Sequence, residues 1–138
     1  MIFEISGEPM GKQRPKFSSA NGFVRTYTPA KTTHYEEWVK LCYQQAGGKY
    51  LGEEPLSICI DAIFEIPKSF SKKKRLDALT GKTRPTKKPD ADNILKIICD
   101  SLNGVAYKDD KQIVWAFIQK KYGDKPKVIV CLKEYKRG

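Results

Sequence analysis

Two acidic pairs stand out in the amino-acid sequence. Asp90 and Asp92 open the stretch PDADNILKIICD, residues 89–100, and Asp109-Asp110 precede an apolar run that begins at Gln112. The chain around them is basic. It has 26 Lys and Arg against 16 Asp and Glu, a formal charge of +10, which favours a polyanionic partner, nucleic acid first. Three carboxylates that converge make a hard-oxygen site suited to Mg²⁺ or Mn²⁺. Such an ion polarises a phosphodiester oxygen, lowers the pKa of bound water and neutralises charge building on phosphorus. Without an ion, gathered acids would repel a phosphate backbone.

Spacing places some of these residues and leaves others open. On a helix beginning near residue 90, Asp92, Lys96, Asp100 and Asn103 fall along one side. The apolar face is Ala91, Ile94, Leu95, Ile98 and Leu102, and Asp90 at the helix entrance can face the same side as Asp92. A purely structural account competes, because Asp is favoured at the N-cap and in the first turn. Asp92 and Lys96 would then be an ordinary surface pair. A helix of roughly 14 residues is about 21 Å long, so a simple return turn leaves Asp110 at the far end from Asp90. Periodicity does not settle whether the two pairs meet. An EF-hand is excluded, since Leu95 stands where its glycine belongs and Ser101 where its glutamate belongs. No G-x-x-x-x-G-K-[ST] phosphate loop occurs.

The elements that must position these acids are readable as patterns. Residues 2–6 read as a short strand. Residues 7–29 are turn-rich and basic, with a hairpin tip at Asn21-Gly22. Residues 31–47 are helical by the recurrence of Tyr35, Trp38, Val39, Cys42 and Ala46, capped by Thr32 or Thr33 with Glu36 returning the bond. Residues 56–66 read as a strand. Residues 67–89 are basic and short of core residues, and are expected as a mobile loop with a short helix at 71–79. After the helix at 90–103, residues 112–122 and 127–135 read as two strands of a hairpin turning at Gly123-Asp124. The expected architecture is α/β (α+β): one small mixed sheet with two helices packed on it, in the order β-α-β-α-β-β. A length of 138 residues predicts a single domain, 1–138.

Composition narrows the setting. With 40% hydrophobic residues the chain can build a core, and no apolar run approaches the roughly 20 residues of a membrane span. The first residues lack a signal-peptide pattern, so a cytoplasmic protein with no membrane partner is expected. Cys42, Cys59, Cys99 and Cys131 form no C-x-x-C pair and read as reduced, mostly buried thiols. His34 is the sole histidine, which removes most Ser-His and Cys-His schemes.

Residues 88–114, KPDADNILKIICDSLNGVAYKDDKQIV, resemble the core motif of the RusA family of Holliday-junction resolvases. That motif is D-x-D-N-x-x-K, then an aspartate inside the helix, then D-D-x-Q-[IV] leading into a strand. The basic segment GKQRPKF…RTYTP also resembles the entrance segment of longer members, so the similarity spans most of the chain. Some members carry arginine just before the first aspartate, where this chain has Pro89. The resemblance implies a homodimeric, Mg²⁺-dependent endonuclease that binds four-way DNA junctions and places paired nicks in recombination and repair. By position it implies that Asp90, Asp92 and Asp110 are the essential carboxylates and hold the metal, with Mn²⁺ as a substitute ion. Lys96 matches the essential helix lysine, and Asp100 a further helix acid. The resemblance thus implies the convergence that spacing leaves open. Lys96 would contact the scissile phosphate or stabilise transition-state charge, the alternative being a salt bridge to Asp92 or Asp100. Asp109 is either an outer partner of the metal site or a turn residue, and Asn93 ties down the helix start. Two cuts need two acid sets, which a two-fold dimer provides.

Lys12, Arg14, Lys16 and Arg25, with Lys72, Lys73, Lys74, Arg75, Lys87 and Lys88, are the candidates for contact with DNA phosphates, making binding salt-dependent. Phe17 or Phe70 could wedge against bases, or anchor a loop. The competing function is a non-catalytic basic nucleic-acid-binding protein, which would gain nothing from acids facing phosphate. An RNase H-like nuclease ranks lower, since Glu4 is the sole candidate acid on its first strand.

Overall fold

The computed structural model describes residues 1–13, 16–18, 25–27 and 29–136, the two short segments by backbone alone. Strands β1 (Ile2–Ser6), β4 (Leu56–Glu65), β5 (Ile113–Gly123) and β6 (Lys127–Glu134) form one mixed sheet in the order β1-β6-β4-β5. β2 (Lys16–Ser18) pairs with β3 (Arg25–Tyr27) as a separate ribbon. The tip expected at Asn21-Gly22 lies outside the described residues. The helices are α1 (Ala30–Gln45), α2 (Lys72–Leu79) and α3 (Ala91–Ser101). The strand and helix order agrees with the α+β expectation, with α2 as an additional helix inside the basic stretch.

β4 lies at the centre because its residues suit burial. Leu56, Ile58, Ile60, Ala62 and Phe64 point to one face and are buried. β6 lies antiparallel to β4, matching Cys131 to Cys59, and β1 lies antiparallel to β6, matching Ile2 to Cys131. β5 runs parallel to β4. A parallel pair needs a crossover, which here carries α2 and α3. The expected β5–β6 hairpin is therefore wrong. β4 lies between the two strands, and the turn at Gly123-Asp124 passes over its end. The backbone comes close there: the Ile66 N–H donates to the Gly123 carbonyl at 3.2 Å, and a Cβ on Gly123 would lie 2.7 Å from Ile63 Cγ2. A local turn signal cannot distinguish a hairpin from a connection that straddles a third strand.

α1 and α3 cover one face of the sheet. Tyr35, Val39 and Tyr43 of α1 and Ile94, Ile97 and Ile98 of α3 meet Phe3, Ile5, Val128, Val130 and Leu132 in one core. Burying each such aliphatic side chain contributes about 1.5–3 kcal/mol. Leu95, expected on the apolar face of α3, is half-buried, and Ile97 takes the deeper place. α1 begins at Ala30 with Pro29 as its N-cap and no side-chain cap, so the expected Thr32 or Thr33 capping box does not form. Thr32 bonds Gln13 instead, and Glu36 takes Lys12. Trp38 is exposed and donates its indole N–H to the Ser6 carbonyl at 3.0 Å. Among the described residues no helix is long and apolar enough to cross a membrane.

Candidate active site

α3 supplies the scaffold. Asp90 is its N-cap, with no side-chain bond to the helix, and Asp92 lies in the first turn. Both side chains are exposed. Among the described residues, neither carboxylate is spent on capping. Lys96, one turn on, is exposed, and among the described residues it forms no ion pair with Asp92 or Asp100.

The segment after α3 turns back because Tyr107 pulls it. Its buried hydroxyl donates to the Cys99 carbonyl at 2.6 Å. That carbonyl is among the last four of the helix, which have no partner within it. Burial drives the Tyr107 phenol far above its ordinary pKa and pushes the Cys99 thiol up to about 12, so both stay protonated at neutral pH. The chain then enters a 3₁₀ turn at Asp110–Gln112. Asp109 caps it, accepting from the Lys111 N–H at 2.9 Å, while the Gln112 carbonyl oxygen accepts from the Asp109 N–H at 2.9 Å. The Gln112 amide also donates to the Gly52 and Glu54 carbonyls. Asp109 is thus the turn residue, held below the usual carboxylate range by the Lys111 N–H.

Asp110 is left half-buried, facing the carboxyl groups of Asp100 and Asp109. Its pKa is raised first by desolvation, then by Asp100 and Asp109. The structure therefore brings Asp110 to the Asp100 end of α3, eight residues along the helix from Asp92. Among the described residues, no group of three His, Cys, Asp or Glu side chains is placed to hold a metal ion. The donors suit a hard cation in kind, being carboxylate oxygens that face solvent at Asp90 and Asp92 and lie half-buried beside a second carboxyl at Asp110.

The N-terminal segment lies against the start of α3. The Lys12 N–H donates to the Asn93 carbonyl at 2.9 Å, and a Cβ on Gly11 would lie 2.8 Å from Pro89 Cβ. The Lys12 ammonium stands 3.2 Å from Glu36 and 3.4 Å from Asp100. It bridges α1 to α3 and holds the negative partner of Asp110. A pocket of about 600 Å³ opens beside Asp90, lined among others by Glu8, Lys12, Lys31, Lys88 and Asn93. Lys31 escaped the sequence reading, since nothing in its local pattern ties it to Lys88.

The other basic candidates spread widely. Lys72, Lys73 and Lys74 are exposed along α2, Arg75 is half-buried, and Lys87 and Lys88 are exposed before α3. Phe70 meets Tyr122 edge-on at 5.6 Å and carries Lys74 over its ring at 4.3 Å, so it anchors the α2 segment to β5. Arg84 adds bonds to Gln119 and to the Lys120 carbonyl. The stretch expected as a mobile loop is thereby pinned to the sheet at several points. Arg14, and the side chains of Lys16, Phe17 and Arg25, lie outside the described residues. Glu4 pairs with Lys127 at 3.5 Å on the sheet face opposite the helices, away from the α3 acids.

A helix-borne acid row, a second acid turned back onto it and flanking lysines define a class of protein built to meet a phosphodiester backbone. The chain belongs to the endodeoxyribonuclease RusA family, whose model matches residues 6–133. It is also similar to "Uncharacterized protein YqaN" of Bacillus subtilis (strain 168), 38% identical over 134 residues, covering 96% of this chain and 94% of that protein.

Proposed function

We propose that the protein is a Mg²⁺-dependent endonuclease that resolves four-way DNA junctions by paired phosphodiester cleavage in recombination and repair. The observation that carries this reading is the turn that sets Asp110 against Asp100 on α3, in a chain of an endodeoxyribonuclease family. Asp90, Asp92 and Asp110 are the metal carboxylates. When bound, the ion activates water and neutralises charge on the phosphate. Lys96, exposed and free of the helix acids, meets the scissile phosphate. Lys12 holds Asp100 and, through it, the Asp110 turn. Lys31 and Lys88 flank the Asp90 pocket and attract the backbone that enters it.

Asp92→Asn tests the reading with a synthetic four-way junction and a linear duplex, in Mg²⁺ and in EDTA. Wild type is expected to nick the junction in Mg²⁺ only. The variant is expected to lose at least about a hundredfold in cleavage while binding the junction as tightly or more tightly. A wild-type protein that binds but never nicks would leave the non-catalytic binding module standing.

A further inference from the structure

Lys12 is fixed at both ends of its side chain. Its backbone N–H donates to the Asn93 carbonyl near the start of α3. Its ammonium lies roughly two turns further along that helix, 3.4 Å from Asp100. The stem therefore runs from the Asp90 pocket, which Lys12 also lines, to the acids at the other end of α3. Glu36 of α1 holds the same ammonium at 3.2 Å. α1 has no side-chain cap, so the Glu36 carboxylate is not spent on its own helix start. The side chains of Lys12, Glu36 and Asp100 are only 22%, 19% and 25% exposed, so solvent screens these contacts only in part. Asp100 in turn faces Asp110. One positive charge is thus shared between an acid beside Asp110 and an acid on another helix.

We propose that Glu36 is a positioning residue for the divalent-cation site: it takes over the Lys12 ammonium when a cation comes to Asp110, and so frees Asp100 to face that cation. The proposal rests on the functional reading that Asp110 takes an ion, and adds the residue that makes room for it. Without a cation, Lys12 offsets the repulsion between Asp100 and Asp110. With a dication at Asp110, an ammonium lying against Asp100 is repelled. Glu36 already touches that ammonium, so Lys12 needs only to pass from a shared position to an unshared one. No backbone contact has to break. The Lys12 N–H stays on Asn93, and Gln13 beside it stays bonded to Thr32. Loss of Glu36 leaves the ammonium on Asp100 as a competitor of the ion. Loss of Lys12 removes that competitor. The two changes break one salt bridge yet act on the ion in opposite directions, whereas a bridge that merely braced the fold would weaken the site either way.

Mn²⁺ binding to the protein without DNA, at low salt, read from the electron paramagnetic resonance of the free ion, is the test. Glu36→Gln is expected to raise the Mn²⁺ dissociation constant at least about threefold, and Lys12→Met to lower it by a similar factor. Glu37→Gln is the control. It removes the same charge from the same helix at a residue whose partner is Lys40, at 3.3 Å, and is expected to leave the constant unchanged. Lys12→Met decides the matter if Glu36→Gln fails to fold. The proposal is overturned by a constant that Glu36→Gln leaves unchanged or that Lys12→Met raises. It is also overturned if Glu37→Gln shifts the constant as far as Glu36→Gln, or if wild type binds no Mn²⁺ at millimolar concentration. Binding and nicking separate the two readings. A wild type that shows this pattern of constants but never nicks a junction sinks the nuclease alone. A wild type that nicks in Mg²⁺ without the pattern sinks the exchange at Lys12 alone.

Discussion

Asp110 resists its own charge. Half-burial comes first and the neighbouring Asp100 second, and both raise its pKa above the ordinary 3.8. A carboxyl with a raised folded pKa favours the fold while protonated. That advantage is lost as pH rises from the unfolded value through the folded one. At pH 7 in EDTA the ionised side chain therefore weakens the fold. Asp110→Asn should raise Tm by about 2 °C there, a modest figure because solvent screens a group this exposed. The gain should vanish below the unfolded pKa of about 3.8. Thermal melts of both proteins across that range check the sign, and a variant that melts lower at pH 7 contradicts it. Asp110 is strained as a structural residue and useful as one waiting for a cation. Asp109, adjacent in sequence, is its opposite: ionised, capped and structural. Two identical letters in the DD pair hide this difference, which lies in Tyr107 and Gln112 pulling the turn into place.

At the scale of elements, α3 was the most legible. Its apolar period, its acids and its entrance at Pro89-Asp90 are all local, and the helix forms where the pattern put it, within two residues at either end. The pairing of β5 was not legible, because pairing is a non-local choice and a glycine turn marks only where the chain bends. The Lys12–Glu36–Asp100 bridge was equally hidden, since it joins three segments that only tertiary packing brings together. The contact beneath it offers a test. A methyl at Gly11 meets Pro89 and Asn93, which have no free rotor to yield. Gly11→Ala should push the N-terminal segment off α3, costing about 1–3 kcal/mol by denaturant titration. It should also lower junction cleavage several-fold, since Lys12 and the Asp90 pocket move with that segment. Unchanged stability would mean that the close approach at Gly11 is not a fixed contact.

For the molecule as a whole, charge follows a division between faces. Lys12, Lys31, Lys88 and the α2 lysines stand with the helices and their acids. The opposite sheet face pairs Glu4 with Lys127 and Asp61 with Lys121, beside the apolar row Ile2, Cys131, Cys59 and Phe117. Replacing Lys72, Lys73 and Lys74 together with alanine should flatten the plot of log K against log salt for junction binding by about 2 to 3 units of slope. An unchanged slope would show that α2 does not touch the DNA.

β6 follows the other described elements in chain order, yet it stands in the middle of the sheet, with β1 on one side and β4 on the other. Without it, β1 has no strand neighbour among the described residues and β4 has one bare flank. The segment before β6 holds α3 with its acids and Lys96, yet lacks the completed sheet on which α3 packs. The two parts of the sheet join only when β6 slots between them, so the acids of α3 gain their fixed support in one step.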